Sequence, residues 1–241
     1  DQKTSDWVEK TQRLIENSSN IKILRNTTVT TYNFGNHLIA LEDKSVGKYP
    51  DNKKPELVLH KIRTKQTILA NGHIERFLSF RNNDLPGIML AASFEKYIQR
   101  YGVVPDESPI IFTNNSSTFS LVKSLVDLGQ KPKAYIDVRD KKSIEKEILE
   151  LLTINNIPLY SKSEVEGCDG KNEIKNISVR IKKNQIIKIK TSMLCISGGL
   201  NPDVHLFTQS KGLIKWDSSI YTFKPDKPFQ KTITLGSSSG N

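Results

Sequence analysis

The amino-acid sequence predicts an α/β fold in which parallel strands alternate with helices. The main observation lies in residues 109–160, where short apolar, β-branched segments alternate with amphipathic helical segments in the order strand, helix, strand, helix, strand. A second observation is that buried strands at residues 66–70 and 192–196 run directly into turns of small residues and glycine. Such turns let the backbone approach a ligand closely, as dinucleotide-binding domains do.

The segment before residue 108 predicts a helix, several short strands and a second helix. Asp6 and Glu9 resemble a capping box, and the apolar residues that follow supply one face of a helix ending near residues 17–20. Residues 33–36 predict a hairpin turn between two strands. The predicted strands cover residues 21–25, 27–32, 37–42, 57–63 and 66–70, an exposed loop covers 43–54, and the second helix covers about 88–101.

The segment after residue 108 predicts the βαβαβ-like unit and then further strands. Gly129 ends the first helix of this unit, since glycine favours the position after a helix. The strands of the unit cover residues 109–113, 134–138 and 157–160, its second helix covers about 143–154, β-meander patterns cover 174–181, 185–190 and 191–196, and a last strand covers 232–235.

We expect a discontinuous architecture of two domains. Residues 1–100 and 191–241 are predicted to form one dinucleotide-binding domain, with residues 103–190 inserted as a second domain of that type. The first residues predict a helix without a preceding strand, and the last residues predict a strand end without the helix that usually follows. Both ends are therefore expected to be cuts through a domain.

Composition indicates a globular protein and argues against several functional classes. The 241 residues carry a net charge of +10, but the lysines are scattered, so a diffuse basic surface is favoured over nucleic-acid binding. No apolar stretch is long enough for a membrane span and no secretory signal is visible, so we expect a cytoplasmic protein without a membrane or nucleic-acid partner. Cys168 and Cys195 lie far apart, and Cys195 is expected to be a buried thiol.

Three strand ends carry glycine and are candidates for close backbone approach to a cofactor. His205, which follows the second of them, has no evident acidic partner, and we expect a surface or packing histidine. The other histidines and the carboxylates are dispersed, so neither a catalytic nor a metal-binding residue is predicted. The three strand ends are Ala70, Asn71 and Gly72; residues 197–202; and Gly236, Ser237 and Ser238 with the residues after them.

The turn at residues 113–118 lies where a dinucleotide fold carries its glycine fingerprint, yet it contains no glycine. Side chains in this turn keep a pyrophosphate from the helix N-terminus. Asp137 lies about where a ribose-binding acid would be. We predict a dinucleotide-type scaffold that binds no dinucleotide with useful affinity here.

Longer strings point to a known family. Residues 68–76 (ILANGHIER) resemble the LATGAIER stretch of sarcosine oxidase α subunits, and residues 83–91 (NDLPGIMLA) with 97–104 resemble that family's NDxPGVMLA and RYGV. Residues 112–115 (FTNN) are similar to its unusual FTNN turn, and residues 197–210 (SGGLNPDVHLFTQS) to its SGGWNPxVHLxSQ. The matches follow the same order over almost the whole chain.

The resemblance implies a FAD/NAD(P)-binding two-dinucleotide-domain (Rossmann-like) fold and a segment of a longer subunit. Family members carry an N-terminal glycine fingerprint and a C-terminal region that binds tetrahydrofolate, neither of which is expected here. The resemblance implies NAD in this subunit, FMN at the interface with the β subunit, FAD in that β subunit, and β, γ and δ subunits as partners in a heterotetramer. Residues carried over to NAD contact are Val29, Ala70, Asn71, Gly72, Gly236, Ser237 and Ser238.

The activity that the resemblance implies is the oxidative demethylation of sarcosine by the complex. The fragment alone is expected to be inactive. Two other enzymes remain alternatives: the α subunit of a related amino-acid or opine dehydrogenase, and an NAD(P)H-dependent flavin oxidoreductase. The turn at residues 113–118 argues against the second alternative, because a reductase needs a working second nucleotide site.

Overall fold

A computed structural model of the chain describes residues 2–46, 56–182 and 185–240. The chain divides into two compact units, of which unit 1 comprises residues 1–72 and 203–241 and unit 2 comprises residues 73–202. No helix in the described ranges is long and apolar enough to cross a membrane.

The elements are as follows in chain order. The first part of unit 1 contains α1 (Gln2–Glu16), β1 (Thr27–Asn33), β2 (His37–Asp43), β3 (Leu57–Arg63) and β4 (Thr67–Leu69). Unit 2 contains β5 (His73–Glu75), β6 (Ile88–Leu90), α2 (Ala91–Tyr101), β7 (Ile110–Thr113), α3 (Phe119–Asp127), β8 (Ala134–Asp137), a 3-10 turn (Lys141–Ser143), α4 (Lys146–Ile154), β9 (Leu159–Ser161), β10 (Glu164–Gly170), β11 (Ile174–Lys182), β12 (Gln185–Lys190), β13 (Leu194–Ser197) and β14 (Leu200–Pro202). The second part of unit 1 contains α5 (His205–Gln209), β15 (Leu213–Asp217), β16 (Thr222–Lys227), β17 (Thr232–Thr234) and a 3-10 turn (Gly236–Ser239).

Unit 2 is built on a five-stranded parallel sheet in the order β6-β13-β7-β8-β9. Side chains alternate between the two faces of each strand. Ile111 and Tyr135 point to the face covered by α2, α3 and α4, whereas Ile110 and Ile136 point to the face covered by the antiparallel strands β10, β11 and β12. Both faces are buried, which accounts for the continuous apolar runs of these strands.

Unit 1 contains a three-stranded antiparallel meander, β1-β2-β3, and a parallel pair formed by β4 and β17. Tyr32 and Leu38 of the meander share one buried cluster with Leu69 of β4 and Phe207 of α5. The hairpin of β15 and β16 completes the unit.

The βαβαβ unit predicted at residues 109–160 is confirmed as β7, α3, β8, α4 and β9. Residues 21–25 form no strand, and Ile21 and Ile23 are exposed, so that prediction is wrong. Residues 88–90 form β6 instead of the start of a helix. The segment predicted as the last strand of a meander forms β13, a parallel strand between β6 and β7. The predicted loop at 43–54 lies largely outside the described residues, since β2 reaches Asp43 and residues 47–55 are not described.

The compact units begin and end at other residues than the two predicted dinucleotide-type domains, whose division near residues 100 and 191 stays a prediction. The chain leaves unit 1 after residue 72 and returns at residue 203. The predicted passages from one domain to the other were near residues 100 and 191. The physical reason is the parallel sheet: β6 and β13 hydrogen-bond to each other, and α2 packs in the core of that sheet. Residues 73–102 and 191–202 therefore belong to unit 2.

Candidate functional site

Two of the three glycine-containing strand ends meet at one edge of unit 1. β4 and β17 run parallel with Leu69 opposite Thr234, so the turns that follow these strands lie at the same end of the pair. The Leu235 amide donates to the Leu69 carbonyl at 2.9 Å. The Ser238 hydroxyl donates to the carbonyls of Leu69 (3.1 Å) and Leu235 (2.7 Å). Ser238 therefore ties the second turn to the end of β4.

Gly72 and Gly236 leave their backbone open to a ligand. Their φ angles are +85° and +63°, a region that side chains other than glycine adopt only with strain. Apart from the glycine, its two chain neighbours and the backbone of its own helical turn, no atom of the described chain lies within 4 Å of a Cβ built on either residue. A phosphate or a ribose could thus approach the peptide groups here closely, which a cofactor cradle requires.

Asn71 fixes the turn that follows β4. Its side-chain amide donates to the Asp203 carbonyl at 2.8 Å, and the Asp203 amide donates to the Gly72 carbonyl at 3.1 Å. Ala70 and Asn71 are exposed. These bonds hold the turn in one conformation, so its exposed backbone is preorganised.

Six of the seven residues predicted to contact NAD lie at this edge, and the structure leaves Val29 apart from them. Val29 belongs to β1, and its half-buried side chain packs against the cluster that contains Leu69. Ser238 is fully buried with its hydroxyl committed to backbone carbonyls. Because its hydroxyl is buried, Ser238 could contact a ligand only through its main chain.

The third glycine-containing strand end lies in unit 2. Ser197 ends β13, and Gly198 and Gly199 follow it beside Arg76. The Gly198 amide donates to the Arg76 carbonyl at 2.8 Å, and a Cβ on Gly199 would lie 2.7 Å from the Arg76 guanidinium. Arg76 of the same unit therefore occupies the space that these glycines leave open.

Side chains of the turn at residues 113–118 form hydrogen bonds within the turn and to neighbouring strands. The Asn115 side-chain amide donates to the Ser197 carbonyl (3.1 Å) and hydroxyl (3.2 Å), and its carbonyl oxygen accepts from the Ser117 amide at 2.9 Å. The hydroxyls of Ser117 and Ser197 lie 2.9 Å apart, and those of Thr118 and Tyr135 lie 2.8 Å apart. Asn115 thus supplies a partner for the amide of Ser117, two residues later, in an Asx turn just before α3.

A charged cluster covers the end of β8 beside that turn. The buried Asp137 carboxylate accepts two hydrogen bonds from the Arg139 guanidinium, at 2.9 and 3.1 Å. Burial raises the pKa of Asp137, and Arg139 opposes that rise. Arg139 also donates to the Ser116 hydroxyl at 3.0 Å and lies 3.3 Å from Glu145, whose carboxylate accepts from Ser116. Asp137, the acid expected near a ribose, is therefore paired with an arginine of the same chain.

His205 differs from what the sequence indicated, whereas Cys195 agrees with it. Asp203 is the acidic partner of His205, with Oδ1 2.6 Å from the histidine Nδ1, so the expectation that His205 lacks one is wrong. Both cysteines are buried, as expected for Cys195, and burial raises the pKa of the Cys168 thiol to about 12 and that of Cys195 further. Such thiols remain protonated and unreactive at neutral pH.

The arrangement of elements defines the class of protein first. The chain has the FAD/NAD(P)-binding two-dinucleotide-domain fold, which confirms the predicted fold class. It is similar to L-proline dehydrogenase from P. horikoshii, with a TM-score of 0.61, 17% identity and coverage of 95% of this chain and 40% of that one. It is also similar to the bacillithiol disulfide reductase of Staphylococcus aureus, with a TM-score of 0.67, 12% identity and coverage of 98% and 68%. Thioredoxin reductase of T. acidophilum gives a TM-score of 0.57, 14% identity and coverage of 83% and 66%.

Sequence similarity then points to particular relatives. The chain is 29% identical over 228 residues to the sarcosine oxidase α subunit of Corynebacterium sp. (strain U-96), covering 92% of this chain and 23% of that subunit. It is 28% identical over 221 residues to the sarcosine oxidase α subunit of Rhizobium meliloti (strain 1021), covering 91% and 22%. The resemblance predicted from the sequence is thus confirmed, and the chain spans about a quarter of the length of these relatives. No family model matches the chain.

Proposed function

We propose that this chain is part of the α subunit of a heterotetrameric sarcosine oxidase and that unit 1 holds NAD. The complex would convert sarcosine to glycine, with formaldehyde or methylene-tetrahydrofolate and hydrogen peroxide as the other products. The observation that supports this proposal best is the similarity to three sarcosine oxidase α subunits over more than nine-tenths of the chain.

The NAD site proposed here uses main-chain groups of two turns together with the partly exposed hydroxyl of Ser237. Ala70, Asn71 and Gly72 would approach the nucleotide from the end of β4, and Gly236 and Ser237 from the end of β17. Positive φ angles and open space at both glycines support this assignment, because they let peptide groups come close to a phosphate or ribose. Val29 would contribute its main chain on the adenine side, and Ser238 would hold the turn that carries Ser237.

The proposed partners and flavins rest on the family resemblance of the sequence. We propose β, γ and δ subunits as partners, FMN at the interface with the β subunit, FAD within the β subunit, and tetrahydrofolate bound by the same α subunit outside this segment. Bound flavin would supply the two-electron oxidation of the amine. The role of this chain in that reaction would be to support the interface rather than to provide a catalytic side chain.

An NAD(P)H-dependent flavin reductase is the less favoured alternative. Such an enzyme needs a second nucleotide site, and the turn of unit 2 that would form one is filled by Asn115, Ser117 and Ser197. An amino-acid or opine dehydrogenase α subunit remains the nearer alternative. Oxygen consumption by the complex with sarcosine, L-proline and an opine as substrates separates these enzymes, and only sarcosine turnover agrees with the proposal.

The NAD site is tested with matched glycine variants in the full-length subunit. Gly236→Ala and Gly102→Ala introduce the same Cβ at the same φ of +63°, both into space free of other atoms of the described chain. Both variants are expected to lose similar stability, about 1 kcal/mol, from backbone strain. Only Gly236→Ala should weaken NAD binding, by tenfold or more in a calorimetric titration. Equal NAD affinity in both variants, or no binding by the wild type, would contradict the proposal.

A further inference from the structure

A histidine–carboxylate pair lies directly beside the turn that follows β4. Asp203 Oδ1 is 2.6 Å from Nδ1 of His205 and also accepts the His205 amide at 3.2 Å. The main chain of Asp203 is bonded to the Asn71 side chain and to the Gly72 carbonyl, at 2.8 and 3.1 Å. The pair is thus attached by two hydrogen bonds to residues of the proposed NAD site.

Among the described residues, Nδ1 of His205 has a hydrogen-bond partner in Asp203 and Nε2 has none. The histidine side chain is 73% exposed, whereas the Asp203 side chain is 26% exposed. Partial burial acts to raise the pKa of Asp203, but hydrogen bonds from Asn71 and His205 outweigh it and lower this pKa, so the carboxylate is ionised at neutral pH. An ionised carboxylate at Nδ1 keeps the proton on that atom. With the Nδ1 proton directed at Asp203, Nε2 is the ring nitrogen whose lone pair can accept a hydrogen bond.

The bond from the His205 amide to the Asp203 side chain, an Asx turn before α5, does not account for the imidazole. Asp203 accepts the amide of residue 205 at the start of α5, and any residue other than proline would supply that amide. The ring of His205 is exposed and lies outside the buried cluster of unit 1. Its bond to Asp203 therefore orients the ring without contributing to the core.

We propose that His205, oriented by Asp203, is a further binding residue of the unit 1 site and that its Nε2 accepts a hydrogen bond from a ribose hydroxyl of the nucleotide. This inference rests on the proposed NAD site. A hydroxyl fits better than a phosphate, because the ligand group would lie near the negative charge of Asp203, which attracts a hydrogen-bond donor and repels an anion.

The test compares ring variants and ligand analogues in the full-length subunit. His205→Phe keeps a planar ring without an acceptor and should weaken NAD binding about five- to tenfold, the effect of one lost hydrogen bond. His205→Gln offers an acceptor oxygen and should recover part of the affinity. His37→Phe, in β2 of the same unit, is the control and should bind NAD as the wild type does.

A deoxy analogue identifies the contact directly. The loss caused by His205→Phe should disappear with the 2′-deoxy or the 3′-deoxy form of NAD, whichever lacks the bonded hydroxyl. In ¹⁵N spectra of the wild type, NAD should shift Nε2 of His205 more than Nδ1. If His205→Phe binds NAD like the wild type while Gly236→Ala does not, the inference is overturned and the NAD site stands. If the wild type binds no NAD, both fail.

Discussion

The Arg139 guanidinium binds both oxygens of the Asp137 carboxylate, with Nη2 2.9 Å from Oδ2 and Nε 3.1 Å from Oδ1. Asp137 ends β8, where dinucleotide folds hold the acid that binds a ribose. Because Arg139 also contacts Ser116 and Glu145, the acid and the glycine-free turn are joined through side chains of one chain. The turn and Asp137 thus belong to one internal polar network, which we expect to exclude a nucleotide.

The first prediction concerns nucleotide binding by unit 2. In the full-length subunit carrying Gly236→Ala, we expect NADH and NADPH titrations to show no binding in the micromolar range. The reason is that Asn115, Ser117 and Arg139 occupy the positions that a pyrophosphate and a ribose would need. Micromolar binding that is lost when Asn115 is replaced by a bulkier residue would show that this site is functional.

The second prediction concerns the stability contributed by Arg139. Arg139→Ala leaves the Asp137 carboxylate buried without its cation, and we expect a loss of about 3 kcal/mol in the free energy of unfolding. Lys123→Ala removes an exposed ion pair with Asp127 and should cost less than about 1 kcal/mol. Urea unfolding followed by circular dichroism measures both. Similar losses for the two variants would mean that Asp137 is accommodated without Arg139.

The third prediction concerns alkaline stability. Burial raises the pKa of Tyr135 to about 12, although its hydrogen bond with Thr118 acts in the opposite direction. The unfolded chain therefore releases the phenolic proton at a lower pH, near 10, and stability is lost as the pH rises from 10 to 12. This loss is about 2 to 3 kcal/mol for two pKa units.

Tyr135→Phe should remove that part of the alkaline decline and cost about 1 kcal/mol at neutral pH, through the lost hydrogen bond to Thr118. Unfolding free energies measured at pH 8, 10 and 11 test the prediction. Parallel pH curves for the wild type and the variant would contradict it, since all other titrating groups are common to both proteins.

Local sequence predicted those parts of the fold in which neighbouring residues determine the structure. The alternating elements of residues 109–160 follow from periodicity, and Gly129 does adopt a positive φ angle, of 74°. The position of β13 could not be predicted in this way. It pairs with β6 and β7, whose residues lie about 80 to 110 positions earlier, and a short apolar strand carries no mark of its partners.

In the candidate site, too, the features set by neighbouring residues could be predicted, and those set by distant strand pairing could not. The sequence predicted that Gly72 and Gly236 follow strand ends, and the family resemblance assigned both to one cofactor site. Only the parallel pairing of β4 with β17 brings the two turns together. The bond between Asp203 and His205 was missed although the two residues are only two positions apart. An aspartate two positions before a histidine can accept both its amide and its ring N–H, and this signal was present in the sequence.

The last prediction separates two neighbouring serines at the end of β17. The Ser238 hydroxyl is buried and donates to the carbonyls of Leu69 and Leu235, whereas Ser237 is partly exposed. Ser238→Ala should therefore destabilise unit 1 by about 1 kcal/mol. Ser237→Ala should change stability by less than about 0.5 kcal/mol and weaken NAD binding severalfold.

Unfolding of unit 1 can be followed by tryptophan fluorescence, because Trp7 and Trp216, the two tryptophans of the chain, both belong to this unit. NAD affinity is measured in parallel by calorimetry. Ser238→Ala could instead weaken NAD binding without a loss of stability. The Ser238 hydroxyl would then contact the ligand instead of stabilising the turn through Leu69 and Leu235, which contradicts the prediction. If Ser237→Ala leaves NAD affinity unchanged, the nucleotide is held at this turn by main-chain groups alone.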